Sequence, residues 1–284
     1  MKFAVIGGDL RQICLAEALM SDGYDVSTFA LGKMAVSAAK TASEALSGAG
    51  CVILPLPAES GAGVLNAPLS DEQFRIRSVT DCVEKGATIC AARPSAELKE
   101  MLAGMEFDVE DYSQREEFAV LNAVATAEGA LQTIMSELPV TVGGLKCLVV
   151  GYGRVGKVMA DRLRGCGAEV SVSARKSGDL AWIKAMGYGV ENTGALSECV
   201  GKFDVLINTV PHRVFDRKCL GRVKKDALII DLASKPGGVD MAAAMEFGVQ
   251  VRWELGVPGR VAPKTSGIII KDTVLNILRE RGKT

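Results

Sequence analysis

The sequence predicts an α/β protein built from two doubly wound parallel sheets joined by a long helix. Three observations predict it. Short apolar runs alternate with amphipathic stretches through both halves, the pattern of strand–helix–strand units with helices on both faces of a sheet. The halves are separated by 116–137, rich in Ala and Leu and free of proline. The stretch 145–164, LKCLVVGYGRVGKVMADRLR, reads as strand, glycine loop and helix in that order.

Each element follows from local pattern. Residues 2–6 are an apolar strand, broken by Gly7-Gly8-Asp9, and 10–20 carry Ile13, Ala16 and Leu19 on one helical face. Strands are expected at 25–29, 51–54, 87–90 and 107–110, with helices at 43–46, 79–84 and 96–102. The polar stretch 58–70 reads as a long loop. Pro139 ends the long helix. Beyond it strands are expected at 147–150, 169–173, 189–190, 205–207, 227–231 and 249–253, and helices at 180–186 and 195–199. The loop 258–264 precedes a helix over 265–281, which topology is expected to return to the first domain.

The segment Gly151-Tyr152-Gly153-Arg154-Val155-Gly156 is a G-x-G-x-x-G loop in the strand–helix context that gives the motif meaning. Gly151 serves the tight turn, Gly153 lets a pyrophosphate approach the backbone, and Gly156 lets helix pack on strand. The helix start favours an anion. An acid gripping an adenosine ribose belongs at the end of the next strand. That strand ends instead in Ala174-Arg175-Lys176-Ser177, two cations and a hydroxyl. This set suits a 2′-phosphate, so NADP is expected over NAD. The alternative is that Arg175 and Lys176 are solvated charges and Asp179 reaches the ribose. The boundaries that follow are a flavodoxin-like substrate domain (1–115 plus 265–284), a linker helix (116–138) and a Rossmann dinucleotide-binding domain (139–264).

Composition excludes other classes. A net charge of −1 gives no bulk attraction to nucleic acid or a membrane surface. The apolar run at the start is too short for a signal peptide, and no run approaches a membrane span. Eight cysteines form no C-x-x-C and there is one histidine, so no metal set is expected; the cysteines read as buried reduced thiols.

Ligands of open α/β sheets bind beyond the carboxyl ends of strands, so those loops carry the candidates. The two sets of loops are expected to face one cleft. In the first domain Gly8, Asp9 and Arg11, at a helix start, and Arg93, ending a strand, are substrate candidates, because two arginines would each hold a carboxylate of a small dicarboxylic acid. The alternative is that both arginines are salt-bridged. In the second domain Asn208-Thr209-Val210-Pro211 would lie at a nicotinamide and orient its carboxamide, unless they are a polar strand end. Ser234 and Lys235 are candidates for substrate binding. His212 and Lys235 are the two weak candidates for a catalytic base, the lysine only if burial lowers its pKa.

Several stretches together resemble one family. IGGDLRQ (6–12), LNAVATAEGALQ (121–132), VVGYGRVGK (149–157), NTVP (208–211), DLASKPGG (231–238) and LGVPGRVAPKTSG (255–267) are similar to dipicolinate synthase A subunits, over nearly the whole chain. The two-domain plan also resembles D-2-hydroxyacid and alanine dehydrogenases. The resemblance implies NADP-dependent oxidation of dihydrodipicolinate, or its hydrated precursor, to dipicolinate in the cytoplasm of a spore-forming mother cell. The partner it implies is the flavoprotein B subunit of dipicolinate synthase; a homo-oligomer stays open. Two alternatives remain: another dehydrogenase of the same architecture, or a non-catalytic NADP-binding subunit.

Overall fold

In the computed structural model, which describes residues 1–283, the chain forms two compact units, 1–122 with 259–283 and 123–258. The first contains β1 (Lys2–Ile6), α1 (Leu10–Ser21), β2 (Asp25–Phe29), α2 (Ala42–Leu46), β3 (Cys51–Ile53), β4 (Glu59–Gly61), β5 (Val64–Leu65), α3 (Ile76–Thr80), β6 (Thr88–Ala91), α4 (Ala96–Gly104) and β7 (Asp108–Asp111). Its main sheet is parallel throughout, in the order β2-β1-β3-β6-β7. Successive side chains of a strand point to opposite faces. Phe3 and Val5 accordingly enter one core with Leu15 and Leu19, while Ala4 and Ile6 enter the other with Leu46, Ile89 and Leu102. Burying each large apolar side chain contributes roughly 2 kcal/mol before conformational entropy is subtracted.

The helix α5 (Glu116–Glu137) crosses from one unit into the other. By length and composition alone it is apolar enough to cross a membrane, yet its Ala127, Ala130 and Ile134 lie in the second unit's core. Its last residue, Glu137, accepts hydrogen bonds of 2.7 Å from Arg252 Nε and Nη2.

The second unit follows with β8 (Lys146–Val150), α6 (Arg154–Gly165), β9 (Glu169–Ala174), α7 (Ser177–Ala185), β10 (Gly189–Asn192), β11 (Val205–Asn208), α8 (Arg217–Leu220), β12 (Leu228–Asp231), α9 (Met241–Phe247) and β13 (Gln250–Trp253). Its six strands are all parallel, in the order β10-β9-β8-β11-β12-β13. A short α10 (Val257–Val261) leads to α11 (Pro263–Glu280), whose Ile270, Val274 and Leu278 join Phe3 and Leu15 in the first unit's core.

Four expectations are corrected. Part of the loop 58–70 is the hairpin β4–β5, with three and two residues per strand, too short to leave an alternation. The helix expected at 79–84 lies at Ile76–Thr80. The one expected at 195–199 is a 3₁₀ segment, Thr193–Glu198. Part of the loop 258–264 is α10, disguised by Pro258 and Gly259.

Candidate functional site

The order of the second sheet reverses between β8 and β11, and ligands of such sheets sit at the carboxyl ends of the strands flanking that reversal. The glycine loop leaves β8 there, and 209–211 leave β11. The three glycines differ physically. Gly151 has φ +101°, and a Cβ on it would lie 2.5 Å from Thr209 Oγ1. A Cβ on Gly156 would lie 2.1 Å from Gly151 O, so helix and strand meet backbone to backbone. A Cβ on Gly153 would meet nothing within 4 Å. Gly153 is thus the position where the loop is open to something outside it.

Local chemistry agrees. The helices α2, α4, α8 and α9 are capped by the side chains of Thr41, Ser95, Asp216 and Asp240. No side chain caps α3, α11, α6, whose N-cap is Gly153, or α7, whose N-cap is Lys176; of these α6 and α7 begin at the carboxyl ends of β8 and β9. Uncapped N–H groups and a helix dipole make an anion site. Arg175, Lys176 and Ser177 follow Ala174 at the end of β9 and are exposed. Among the described residues neither Arg175 nor Lys176 is ion-paired. Tyr152 is half-buried with Lys157 Nζ 5.2 Å from its ring centre, and burial pushes its phenol up, so it stays neutral. Residues 151–156 and 174–177 therefore offer a phosphate cradle beside a basic corner, which fits a dinucleotide.

A cavity of about 330 Å³ opens beside Arg175 and is also lined by Thr193, Val210 and His212. His212 is exposed and lines that cavity together with Arg175 and Val210. Lys235, also a candidate base, is exposed, as is Ser234.

Asn208 differs from expectation. It is fully buried, its Nδ2 donates to Asp231 Oδ1 (2.8 Å) and Val210 O (3.0 Å), and its Oδ1 accepts from Val210 N. Thr209 Oγ1 donates to Val150 O. The Asn208 amide is therefore engaged by the loop it begins, and so are the N–H groups of Thr209, which donates to Val150 O, and Val210. Asp231, which sequence reasoning missed, is its partner. It is 2% exposed, and it also accepts from Ala233 N and Gly238 N, fixing the loop that carries Ser234 and Lys235. The signal available was two polar residues, Asn208 and Asp231, each ending an apolar strand; their pairing across adjacent strands is visible only in three dimensions.

The first sheet reverses between β1 and β3. Gly8 has φ +108°, and Asp9 caps α1 by accepting from Arg11 N. Arg11 is 7% exposed; its Nε and Nη2 grip the Asp9 carboxylate at 2.9 and 2.8 Å, and Nη2 also donates to Leu56 O beyond β3. The expected free fork is thus turned onto the helix's own cap, as the salt-bridged alternative has it. Arg93 differs: it is exposed, at φ +49°, with its backbone N–H held by Asp111 Oδ1 and Ser113 Oγ. Among the described residues its guanidinium has no ion pair. Strained backbone at a candidate binding residue is a known mark of function.

The cysteines are all unpaired, and five are buried. Burial pushes Cys147 and Cys219 up to about 12 and Cys199 to about 11, so these are neutral thiols at pH 7, unsuited to nucleophilic work. Among the described residues no group of His, Cys, Asp and Glu is arranged to hold a metal ion.

Fold and site define a nicotinamide-dinucleotide-binding protein of the two-domain dehydrogenase architecture. A family model described as the NAD binding domain of S-adenosyl-L-homocysteine hydrolase matches residues 122–275, and one described as the N-terminal domain of the dipicolinate synthase A subunit matches 2–113. L-alanine dehydrogenase (TM-score 0.68, 16% identity, 99% of this chain and 91% of that one) and Salmonella D-lactate dehydrogenase (0.66, 14%, 98% and 96%) share the fold. The dipicolinate synthase A subunit of Bacillus subtilis (strain 168) is 32% identical over 286 residues, covering 99% of this chain and 96% of the relative. The crystal structure of that Bacillus subtilis protein superposes with TM-score 0.89 at 30% identity, over 100% of this chain and 98% of that one. The structure of its Bacillus halodurans counterpart gives 0.88 at 27% identity, over 98% and 97%. The chain belongs to the family of dipicolinate synthase A subunits.

Proposed function

We infer that the chain is an NADP-dependent oxidoreductase that converts dihydrodipicolinate, or its hydrated precursor, to dipicolinate. It works with a flavoprotein B subunit in the cytoplasm of a spore-forming mother cell. The observation that carries the cofactor choice is the unpaired Arg175–Lys176 corner beside the open, uncapped Gly153 turn. Family membership supports the substrate, and the naming of the relatives as one subunit of a synthase supports a partner.

NADP, when bound, supplies a two-electron acceptor. The chain's own groups do the rest. N–H groups at the start of α6 would take the pyrophosphate, Arg175 and Lys176 would take the 2′-phosphate, and 208–211 would border the nicotinamide. Arg93 is the free cation for a substrate carboxylate. Oxidation of the dihydro acid removes a pair of hydrogens, one as hydride and one as a proton to water. The gain in aromaticity drives this step, so a strong base is dispensable, in keeping with the exposed His212 and Lys235. His212→Ala and Lys235→Ala are each expected to change kcat less than about tenfold across the pH profile; a loss of about a hundredfold, typical of a general base, would contradict this.

That same lack of a buried base favours one second reading, a cofactor-carrying subunit that is inactive alone. Formation of dipicolinate is measured by its ultraviolet absorbance, with NADP and with NAD, for the chain alone and with the flavoprotein. Product from the chain alone with NADP supports the first reading. Product formed with the flavoprotein without consumption of NADP supports the second, and product from neither removes the dipicolinate assignment.

A further inference from the structure

One buried polar group is used by nothing described so far. Gln12 lies on the first turn of α1 with no exposed surface, and neither its Nε2 nor its Oε1 has a hydrogen-bond partner. Buried side-chain amides are almost always bonded, and leaving one unbonded is costly, so such a group calls for a specific explanation. Its neighbours are not the reason. Arg11 is already engaged by Asp9 and Leu56 O, and Asp9 by Arg11.

Where the amide lies is informative. A Cβ on Gly8 would be 2.5 Å from Gln12 Oε1 and 2.6 Å from its Cδ, so the amide rests against the loop that leaves β1. That loop flanks the reversal between β1 and β3, the position at which sheets of this order bind their ligands. The absence of a side chain at Gly8 is what admits the amide to the strand end. Gln12 thus brings an uncharged group with two donors and an acceptor to a helix start where Arg11 is already paired with Asp9.

We propose that Gln12 is a substrate-binding residue: its Nε2 donates to a carboxylate of the ring acid and its Oε1 accepts from a hydroxyl or N–H on the same ligand. This rests on the dicarboxylate reading above. An amide satisfied in both halves needs a ligand that is not acceptor-only, which favours the hydroxyl-bearing, hydrated precursor over the dihydro acid. Arg11 then serves as a positioning residue, holding the turn that carries Gln12.

The test uses the full-length chain with the apolar, similarly sized Gln12→Leu and with Gln12→Glu, which removes the donor and adds a like charge. Pyridine-2,6-dicarboxylate is titrated calorimetrically in saturating NADP, and KM is measured for the hydrated precursor. Loss of a hydrogen bond to a charged ligand predicts weakening of about tenfold or more in Gln12→Leu, and more in Gln12→Glu. NADP affinity should be unchanged. The melting temperature of Gln12→Leu should be equal or higher, since an unbonded amide has been removed from the interior. Unchanged KM for the hydrated precursor in both variants would overturn the proposal. A lowered melting temperature with unchanged affinity would identify a structural amide. Should Gln12→Leu not fold, Gln12→Glu and Gln12→Met give the same reading. A wild type that binds the dicarboxylate but makes no product even with the flavoprotein would count against the reaction, leaving Gln12 to be judged by binding alone.

Discussion

At the scale of single residues, the three glycines of one loop make separable predictions. Gly156→Ala puts a methyl 2.1 Å from a backbone oxygen. It should cost about 2 kcal/mol or more and weaken NADP as a consequence of misfolding. Gly153→Ala meets no protein atom, so stability should change by no more than about 1 kcal/mol while NADP affinity falls at least tenfold. Thermal melts paired with NADP titrations check both; equal melting losses would contradict the assignment. Asp231→Ala would strand three buried donors, on Asn208, Ala233 and Gly238, and should destabilise by roughly 3 kcal/mol or more in denaturant titration. Legibility at this scale is uneven. The glycines can be read because each role is local and fixed by spacing. The Arg11–Asp9 grip is equally local, two residues apart, and stands among the sequence alternatives. Gln12 escapes a sequence reading because a polar residue on an amphipathic helix ordinarily faces water, and only the packed structure shows it enclosed.

Among elements, the end of α11 is tied to the edge of the first sheet. Arg281 bonds Asp108 and Glu110 on β7, and Lys283 Nζ lies 3.1 Å from Asp108 Oδ2. The hydrogen bond from Arg281 holds the Asp108 carboxyl below its ordinary value. A depressed folded pKa contributes stability that is complete above the unfolded value, about 3.9, and is lost as pH falls through the folded one. Arg281→Ala should therefore lower the melting temperature at pH 6, with the deficit shrinking below about pH 3; a deficit independent of pH would contradict this. Element by element, strands with continuous apolar runs are legible, since burial on both faces leaves little room for polar residues. The hairpin β4–β5 and the displaced α3 are not, because their positions follow from backbone bonds to distant segments, such as Leu65 N to Phe74 O and Ile76 N to Gly63 O.

For the whole molecule, the first unit is discontinuous in sequence: it needs 259–283 as well as 1–122. Ile270, Val274, Ile277 and Leu278 complete the core begun by Phe3 and Val5. A chain ending before Pro263 should lose cooperative unfolding of the first unit while 123–258 keeps protease resistance and NADP-dependent protection. Equal resistance of both units to limited proteolysis would contradict this. The two-sheet plan is legible because the strand–helix alternation repeats throughout, and an amphipathic tail needs a partner surface. The meeting of α11 with α1 is reached only through topology.

That discontinuity also sets an order of events on the ribosome. The second unit is one unbroken stretch and is entirely translated before α11 emerges. The first, although made earlier, waits with the apolar side of α1 uncovered until 263–280 have been made. Domains generally fold as units during synthesis, so here the later-made half matures first, and the nascent amino-terminal half is the stage most dependent on a chaperone.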